Sequence, residues 1–593
     1  MKLKLLSFAL ALALVCASFA ACDTQNPNTP EVTTDVITTD GSAVTTETPT
    51  ETTSDKAAPI TPQNAKGVKI VHKSTVSAEL LMLIGSLSQK ISSSFGFSAP
   101  SKIYGDSATV DGVTEIVIGG ECDGSEILRP EDFLLSMQSE DIYVCAGSDA
   151  SLLRAVTYLT EGIGNGLMLD LDEPTYVYGN YPIKAVTVNG VSLAKYCLVL
   201  SDTPSVYEAY AAEIFLDYVN DNLGYKLKKI TDKDKEEKYE LILGETDRAE
   251  SKADITLSDG KYSVFASGSD IVCIGDDHTV AAGLYELISA MPADGGVHTL
   301  SLTKEASAKT FEYKKAKSAI LLIGDGMGFN SIAMAKYYKT CPEFYAYDLP
   351  TPGKSMTDNV SGSTTDSAAG GTALSAGYKT VNGYLGVDKN GTAVMNVREL
   401  ADTMGAKTAI LTTDAITGAT PSAFLAHHTS RNDTAILQNQ INTLMLNKKV
   451  EFAEGNLGDN LLPRTRTVLD SISKNGSPFF LMVEEGYIDK YSHSNEAASM
   501  SLAVKRFNSV IAYCMVFTVF NPDTVLIITA DHETGGITEN NGTYYYTSGG
   551  HTSTPVPIFA CGVGTEQFHG KIVQNTSIAK FIASVYGAKS FGN

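Results

Sequence analysis

Short, uninterrupted apolar runs mark the C-terminal half of the chain, at 319–324, 408–413, 479–483, 524–529 and 556–560. Runs of this length without polar alternation predict strands buried on both faces, and the helical stretches between them complete an α/β pattern. That alternation predicts a mostly parallel sheet sandwiched by helices, and such sheets bind ligands beyond the carboxyl ends of their strands. The first run ends at Asp325, the third at Glu484 and the fourth near Asp531 and His532, while His551 precedes the last.

The preceding region reads as one unit written twice, over 67–188 and 189–305. In the first copy a helical apolar pattern (78–91) leads to a strand at 115–119, then a strand running into Gly147-Ser148-Asp149, then a helix through Leu159. In the second, 206–219 leads to 240–244, then a strand running into Gly275-Asp276-Asp277, then a helix through Leu287. The repeated order predicts two small α/β domains in tandem. They resemble small domains attached to secreted carbohydrate-active enzymes, which implies contact with glycan or cell wall. The absence of Trp and of any discernible aromatic platform favours instead a spacer, or a unit packed on the C-terminal domain.

At the other end of the chain, Lys2 and Lys4 precede an apolar run over 5–21, as in an export signal. Phe19-Ala20-Ala21-Cys22 resembles the lipobox of bacterial lipoproteins, which implies cleavage before Cys22, lipidation of that residue and anchoring to the outer face of the cytoplasmic membrane or to the cell surface. The Thr-, Pro- and acid-rich segment 23–66 has no apolar periodicity and reads as a disordered tether. Beyond residue 21, no segment is read as the ~20 apolar residues of a membrane span.

Composition narrows the picture further. The 593 residues carry a net charge of −23 with no basic cluster, which excludes a nucleic-acid partner. Cys145 and Cys273 sit inside apolar strand-like runs, and the cysteines show no metal-type spacing, so a disulfide framework is not expected. The carboxylates and histidines beyond the strands are of metal-ligand type. Asp489 and His493, four apart, share one face of a helix, as a metal requires. Ser367 follows Asp366 at the predicted start of a Gly- and Ala-rich helix. Together they read as a metal-activated nucleophile.

Over 317–593 these pieces resemble the alkaline phosphatase family. The matching stretches are Gly324-Asp325-Gly326-Met327-Gly328, Asp366 through Ala373, Ala419-Thr420-Pro421 through Arg431, Val483-Glu484 with Asp489-Lys490 and His493, Ala530-Asp531-His532-Glu533, and Gly550-His551-Thr552. The resemblance implies a catalytic domain over 306–593 that binds two Zn2+ and one Mg2+. It assigns the first zinc to Asp489, His493 and His551, the second to Asp325, Asp531, His532 and the Ser367 oxygen, and the magnesium to Asp325, Thr420 and Glu484. Ser367 would be the nucleophile, Arg431 the bidentate phosphate ligand and Lys490 a phosphate contact through water, with Asp366 orienting Arg431.

By the same resemblance the protein is expected to be an extracytoplasmic hydrolase of small phosphate monoesters acting through a phosphoserine. Alternatives are a phosphodiesterase or phosphonate hydrolase of the same superfamily, or a surface glycan-binding protein with a secondary phosphatase unit; a sulfatase is disfavoured because Cys-x-Pro-x-Arg does not occur. Gly418 stands where relatives carry Asp or His beside the third metal, and the link from His532 to His551 is short, which suits a compact monomer. His427 and His428 read as packing or surface residues on a helix.

Overall fold

The computed structural model describes 67–593 and the backbone of 58–59, save 97, 105–112, 140, 164, 166–167, 170–172, 253–254, 256 and 258–259. The export signal, Cys22 and nearly all of the tether lie outside the described residues. Ala58–Pro59 pairs antiparallel with Met168–Leu169, a short strand inside the segment expected to be disordered. Such pairing uses backbone groups alone, so no side-chain periodicity announces it.

In the first repeat, strands β1 (Val68–His72), β2 (Ser101–Ile103), β3 (Thr114–Ile118), β4 (Phe133–Gln138), β5 (Asp141–Ala146) and β6 (Thr175–Val177) form one sheet in the order β2-β1-β3-β5-β4-β6. Helices α1 (Ala78–Phe95) and α2 (Asp149–Gly162) accompany it. The second repeat has β7 (Cys197–Leu200), β8 (Lys229–Thr231), β9 (Glu240–Leu243), β10 (Lys261–Ser267), β11 (Asp270–Gly275) and β12 (Lys309–Thr310) in the matching order β8-β7-β9-β11-β10-β12. Its helices are α3 (Val206–Leu223) and α4 (Ala281–Ser289). Parallel and antiparallel pairings correspond one to one. The closing strand β12 lies past residue 305, beyond the expected limit of the repeat.

The repeats differ in how they are held. The first has its own core, whereas Phe215, Val219 and Leu223 of α3 share a core with the C-terminal domain. Tyr210 meets Tyr513 edge-on at 5.5 Å, Tyr207 Oη donates to Asp348 at 2.5 Å, and Arg466 pairs with Glu213 at 2.8 Å. Burying each apolar side chain contributes about 1.5–3 kcal/mol, so this seam outweighs its polar contacts. Arg129 ties the two repeats together: its guanidinium pairs with buried Asp132 and donates to the carbonyls of Ile183, Lys184 and Leu223.

The C-terminal domain holds eight strands, β13 (Ser318–Gly324), β14 (Gly353–Met356), β15 (Lys407–Thr412), β16 (Phe452–Glu454), β17 (Phe479–Glu485), β18 (Thr524–Thr529), β19 (Val556–Cys561) and β20 (Ile572–Gln574), in the order β16-β15-β17-β13-β18-β19-β14-β20. All five expected strands are present. The last, β19, runs antiparallel to both neighbours, so the sheet is mixed; three short strands (β14, β16, β20) extend its edges. Its helices include α5 (Phe329–Tyr337), α6 (Ser367–Ala376), α7 (Ala419–Leu425), α8 (Tyr487–His493) and α9 (Ala497–Phe520). Contrary to the expectation that no later segment suits a membrane span, the 24-residue α9 is long and apolar enough, yet 78% of its apolar window is buried against the sheet and α3 as a core helix. The seven described cysteines carry free thiols.

Candidate active site

Every residue of α6 is buried, because its small side chains let two backbones approach. A Cβ on Gly370 would stand 3.0 Å from the Asp531 carbonyl, and one on Gly371 would stand 3.3 Å from Thr420 Cα. Asp366 caps this helix, accepting the Ala369 N–H at 3.0 Å, and such a cap contributes about 1 kcal/mol. Its other oxygen accepts the Gly383 N–H at 2.9 Å and Arg431 Nη1 at 3.1 Å. One carboxylate therefore starts the helix and orients the arginine beside Ser367.

The strand ends bring two triads together. Ligand atoms of Asp489, His493 and His551 converge within 4.8 Å of one another, as do those of Asp325, Asp531 and His532. His551 Nε2 lies 3.1 Å from His493 Nε2, and His532 Nε2 lies 3.2 Å from Asp531 and 3.6 Å from Asp325. The triads adjoin, since the rings of His532 and His551 stack at 3.6 Å. Ser367 Oγ donates to His532 Nε2 at 3.2 Å. Asp325 sits in a turn where Gly326 has φ +74°, and a Cβ there would stand 2.9 Å from Asp489 Cα; only glycine meets both demands.

The outer hydrogen bonds turn every imidazole the same way. His493 Nδ1 donates to the Gly549 carbonyl at 2.7 Å and His551 Nδ1 to that of Thr365 at 3.0 Å. His532 Nδ1 donates to Thr534 Oγ1 at 3.2 Å, and that hydroxyl donates to Asp489 at 2.5 Å. Three Nε2 atoms thus face inward, the orientation that carbonyl or hydroxyl partners impose on metal-binding histidines. Asp325 Oδ1 and Asp531 Oδ2 are buried without a hydrogen-bond partner. Inward imidazoles with orphaned carboxylate oxygens fit divalent cations of the N/O-binding type.

The third expected group also assembles. Thr420 Oγ1 lies 3.4 Å from Asp325 Oδ2, and Glu484 is buried at the end of β17, where the Thr412 hydroxyl donates to it. An all-oxygen set suits magnesium. Glu485, pointing to the other face, is gripped by Arg506 of α9 at 2.6 and 2.8 Å, which steadies the strand end.

Electrostatics separate the triads. Burial, reinforced by Asp531, Asp489 and Glu484, holds the Asp325 carboxyl well above its usual range, and burial pushes Glu484 up to about 8. Burial lowers His532. Asp489 behaves oppositely: burial opposes its ionisation, but hydrogen bonds from His493 and His551 outweigh that and hold it below the ordinary range. The bond to Asp489 raises His493 to about 9, and His551 rises against its burial for the same reason.

Lys490 is ion-paired with Asp414. His427 and His428 follow α7 rather than lie on it, because the helix ends at Leu425. His427 bridges Glu399 (2.8 Å) and the Gly386 carbonyl, and His428 pairs with Asp433. Sequence reasoning misses Thr534, which links the triads, and Asp414. The latter stands beyond the carboxyl end of β15, so the rule that finds the other acids also selects it.

Residues 316–462 and 446–549 match the sequence model of the alkaline phosphatase family. Among known proteins, the chain is similar to alkaline phosphatase 4 of Bacillus subtilis (strain 168), 31% identical over 304 residues, which cover 40% of this chain and 66% of that protein. Alkaline phosphatase 3 of the same organism is 29% identical over 301 residues, 39% of this chain and 65% of that one. The chain thus spans just under two thirds of the length of these relatives. A solved alkaline phosphatase from the Antarctic bacterium TAB5 is 26% identical, with a TM-score of 0.43, and covers 47% of this chain and 100% of its own. Over residues 316–549, a segment of the chain, the sequence is similar to the alkaline phosphatase family.

Proposed function

We propose that this protein hydrolyses small phosphate monoesters through a phosphoserine formed on Ser367. The observation that carries this reading is the placement of the Ser367 hydroxyl at the first residue of a buried helix, 3.2 Å from His532 Nε2 and beside two converging ligand triads. The N-terminal N–H groups of α6 favour developing negative charge at that oxygen. Arg431, held by Asp366 next to Ser367, presents a planar fork that takes two non-bridging phosphoryl oxygens.

In this reading Asp489, His493 and His551 hold one zinc, Asp325, Asp531 and His532 a second, and Asp325, Thr420 and Glu484 a magnesium. Bound there, the cations supply Lewis-acid charge that lowers the pKa of an oxygen held against them and neutralises the transferring phosphoryl group. Ser367 Oγ gives up its proton to solvent and attacks phosphorus, the ester P–O bond breaks, and the alcohol leaves with a proton from solvent. Water then attacks the phosphoserine, which releases inorganic phosphate and restores the serine. Because recognition centres on the phosphoryl group, tolerance of varied alcohols is expected. The start of the chain supports export and a lipid anchor on Cys22; the two repeats would then stand between membrane and catalytic domain.

Hydrolysis of an aryl phosphate by the wild type and Ser367→Ala, with isolation of the phosphorylated protein at low pH, tests the reading. The expected loss is on the order of a thousandfold or more, with no trapped phosphoserine. Retained turnover in the variant would reject the nucleophile.

A further inference from the structure

Asp414 stands in none of the three ligand groups, yet it touches the edge of one. It pairs with Lys490, its Oδ1 accepts the Ala415 N–H at 2.7 Å, and its Oδ2 lies 2.8 Å from where a Cβ on Gly418 would stand. The Asp414 N–H donates to Thr412 Oγ1 at 2.9 Å, and that hydroxyl donates to Glu484. A second glycine makes the approach possible: a Cβ on Gly486 would meet Asp414 Cβ at 3.1 Å and Glu484 Cδ at 3.8 Å. Two glycines thus clear room for this carboxylate beside Glu484. The charge of Asp414 is also felt there, adding to burial in pushing Glu484 up.

We infer that Asp414 is the positioning carboxylate of the Asp325, Thr420 and Glu484 cation site, reaching from upstream into the space that Gly418 leaves open. This rests on the phosphatase reading. Magnesium dehydrates reluctantly and retains several waters, and those waters need acceptors outside the protein ligands. Asp414 is a half-exposed carboxylate at the right edge to accept from them, and Lys490 balances its charge. Outer partners of this kind typically set about 10- to 100-fold in metal affinity. The opposing view is that Asp414 only closes the turn to Ala415 and anchors Lys490.

Calorimetric titration of the zinc-loaded full chain with magnesium chloride separates the two views without requiring turnover. Asp414→Ala is expected to weaken magnesium about tenfold or more, and Asp414→Asn, which keeps the shape and loses the charge, to weaken it similarly. Asp414→Glu, which keeps the charge on a longer arm, is expected to hold affinity closer to wild type than Asp414→Asn does. Wild-type affinity in Asp414→Asn, a loss in Asp414→Glu as large as in Asp414→Ala, or no magnesium uptake by the wild type each overturns the inference. A wild type that binds magnesium but leaves aryl phosphate intact would instead sink the phosphatase reading alone.

Discussion

Asp325, Asp531 and His532 are shut in at the edge of the sheet, whereas Asp489, His493 and His551 open toward solvent: the side chain of His532 is 0% exposed and that of His493 is 42% exposed. Nearly the same donor types therefore settle differently. In the closed triad burial favours neutral groups, a protonated Asp325 and an uncharged His532. In the open triad the pair ionises, Asp489 as carboxylate and His493 as imidazolium. A cation must displace a proton from a carboxyl in one and from an imidazole in the other, so burial decides where the proton waits.

The sharpest break in this comparison is to remove one histidine from each side. His532→Ala deletes the partner of Ser367 and leaves two buried acids beside a void; hydrolysis is expected to fall on the order of a thousandfold or more, with no recovery in excess zinc. His493→Ala removes the exposed member of the other triad, and a smaller loss, on the order of a hundredfold, is expected, partly restored by excess zinc. Aryl phosphate hydrolysis across a zinc series reads both, and equal losses with equal rescue would erase the distinction.

A second test uses protons. The raised pKa of His493 means that its pair with Asp489 stabilises the metal-free fold below the ordinary histidine pKa, near 6.5, and that this contribution is lost as pH rises through about 9. Asp325, also raised, loses stability in the same direction once pH exceeds its unfolded value. The melting temperature of the metal-free protein should therefore fall between pH 6.5 and 9, and metal should remove most of that slope. A metal-free protein whose melting is flat over this window contradicts the assignment.

The smallest effect concerns the link between the triads. Thr534→Val removes the hydroxyl that donates to Asp489 and accepts from His532 while keeping the volume. Metal affinity is expected to drop about tenfold at both triads together, read by competition with a chromogenic chelator. A loss at one triad only would show that they are not coupled through this residue.

The same contrast explains which parts of the site are legible in the sequence. Acids that end uninterrupted apolar runs, such as Asp325, Glu484 and Asp531, are legible because a buried strand fixes where its last residue points. Asp489 and His493 are legible from helical spacing. Thr534 is not, since its hydroxyl meets Asp489 and His532 only when distant segments close together; Asp414 satisfies the strand-end rule, but its pairing with Lys490 does not show in the sequence. Among strands, β14, β16 and β20 leave no signal because they are only three or four residues long, and β16 and β20 lie at the sheet edges.

The repeats teach a parallel lesson. Their common order of elements is visible as a recurrence of apolar runs and glycine turns, which local periodicity encodes. That only the second shares a core with the C-terminal domain depends on the tyrosines of α3 meeting Tyr513 and Asp348.

Local chain chemistry, the periods of side chains and the caps and turns, determined by itself the central strands, most of the helices and the identity of most residues that the two triads bring together. The tertiary structure decided which triad is sealed and which is open, which carboxyl keeps its proton, and which glycines must stay bare. Burial and electrostatic environment are properties of what packs around a group, and no window of sequence contains them.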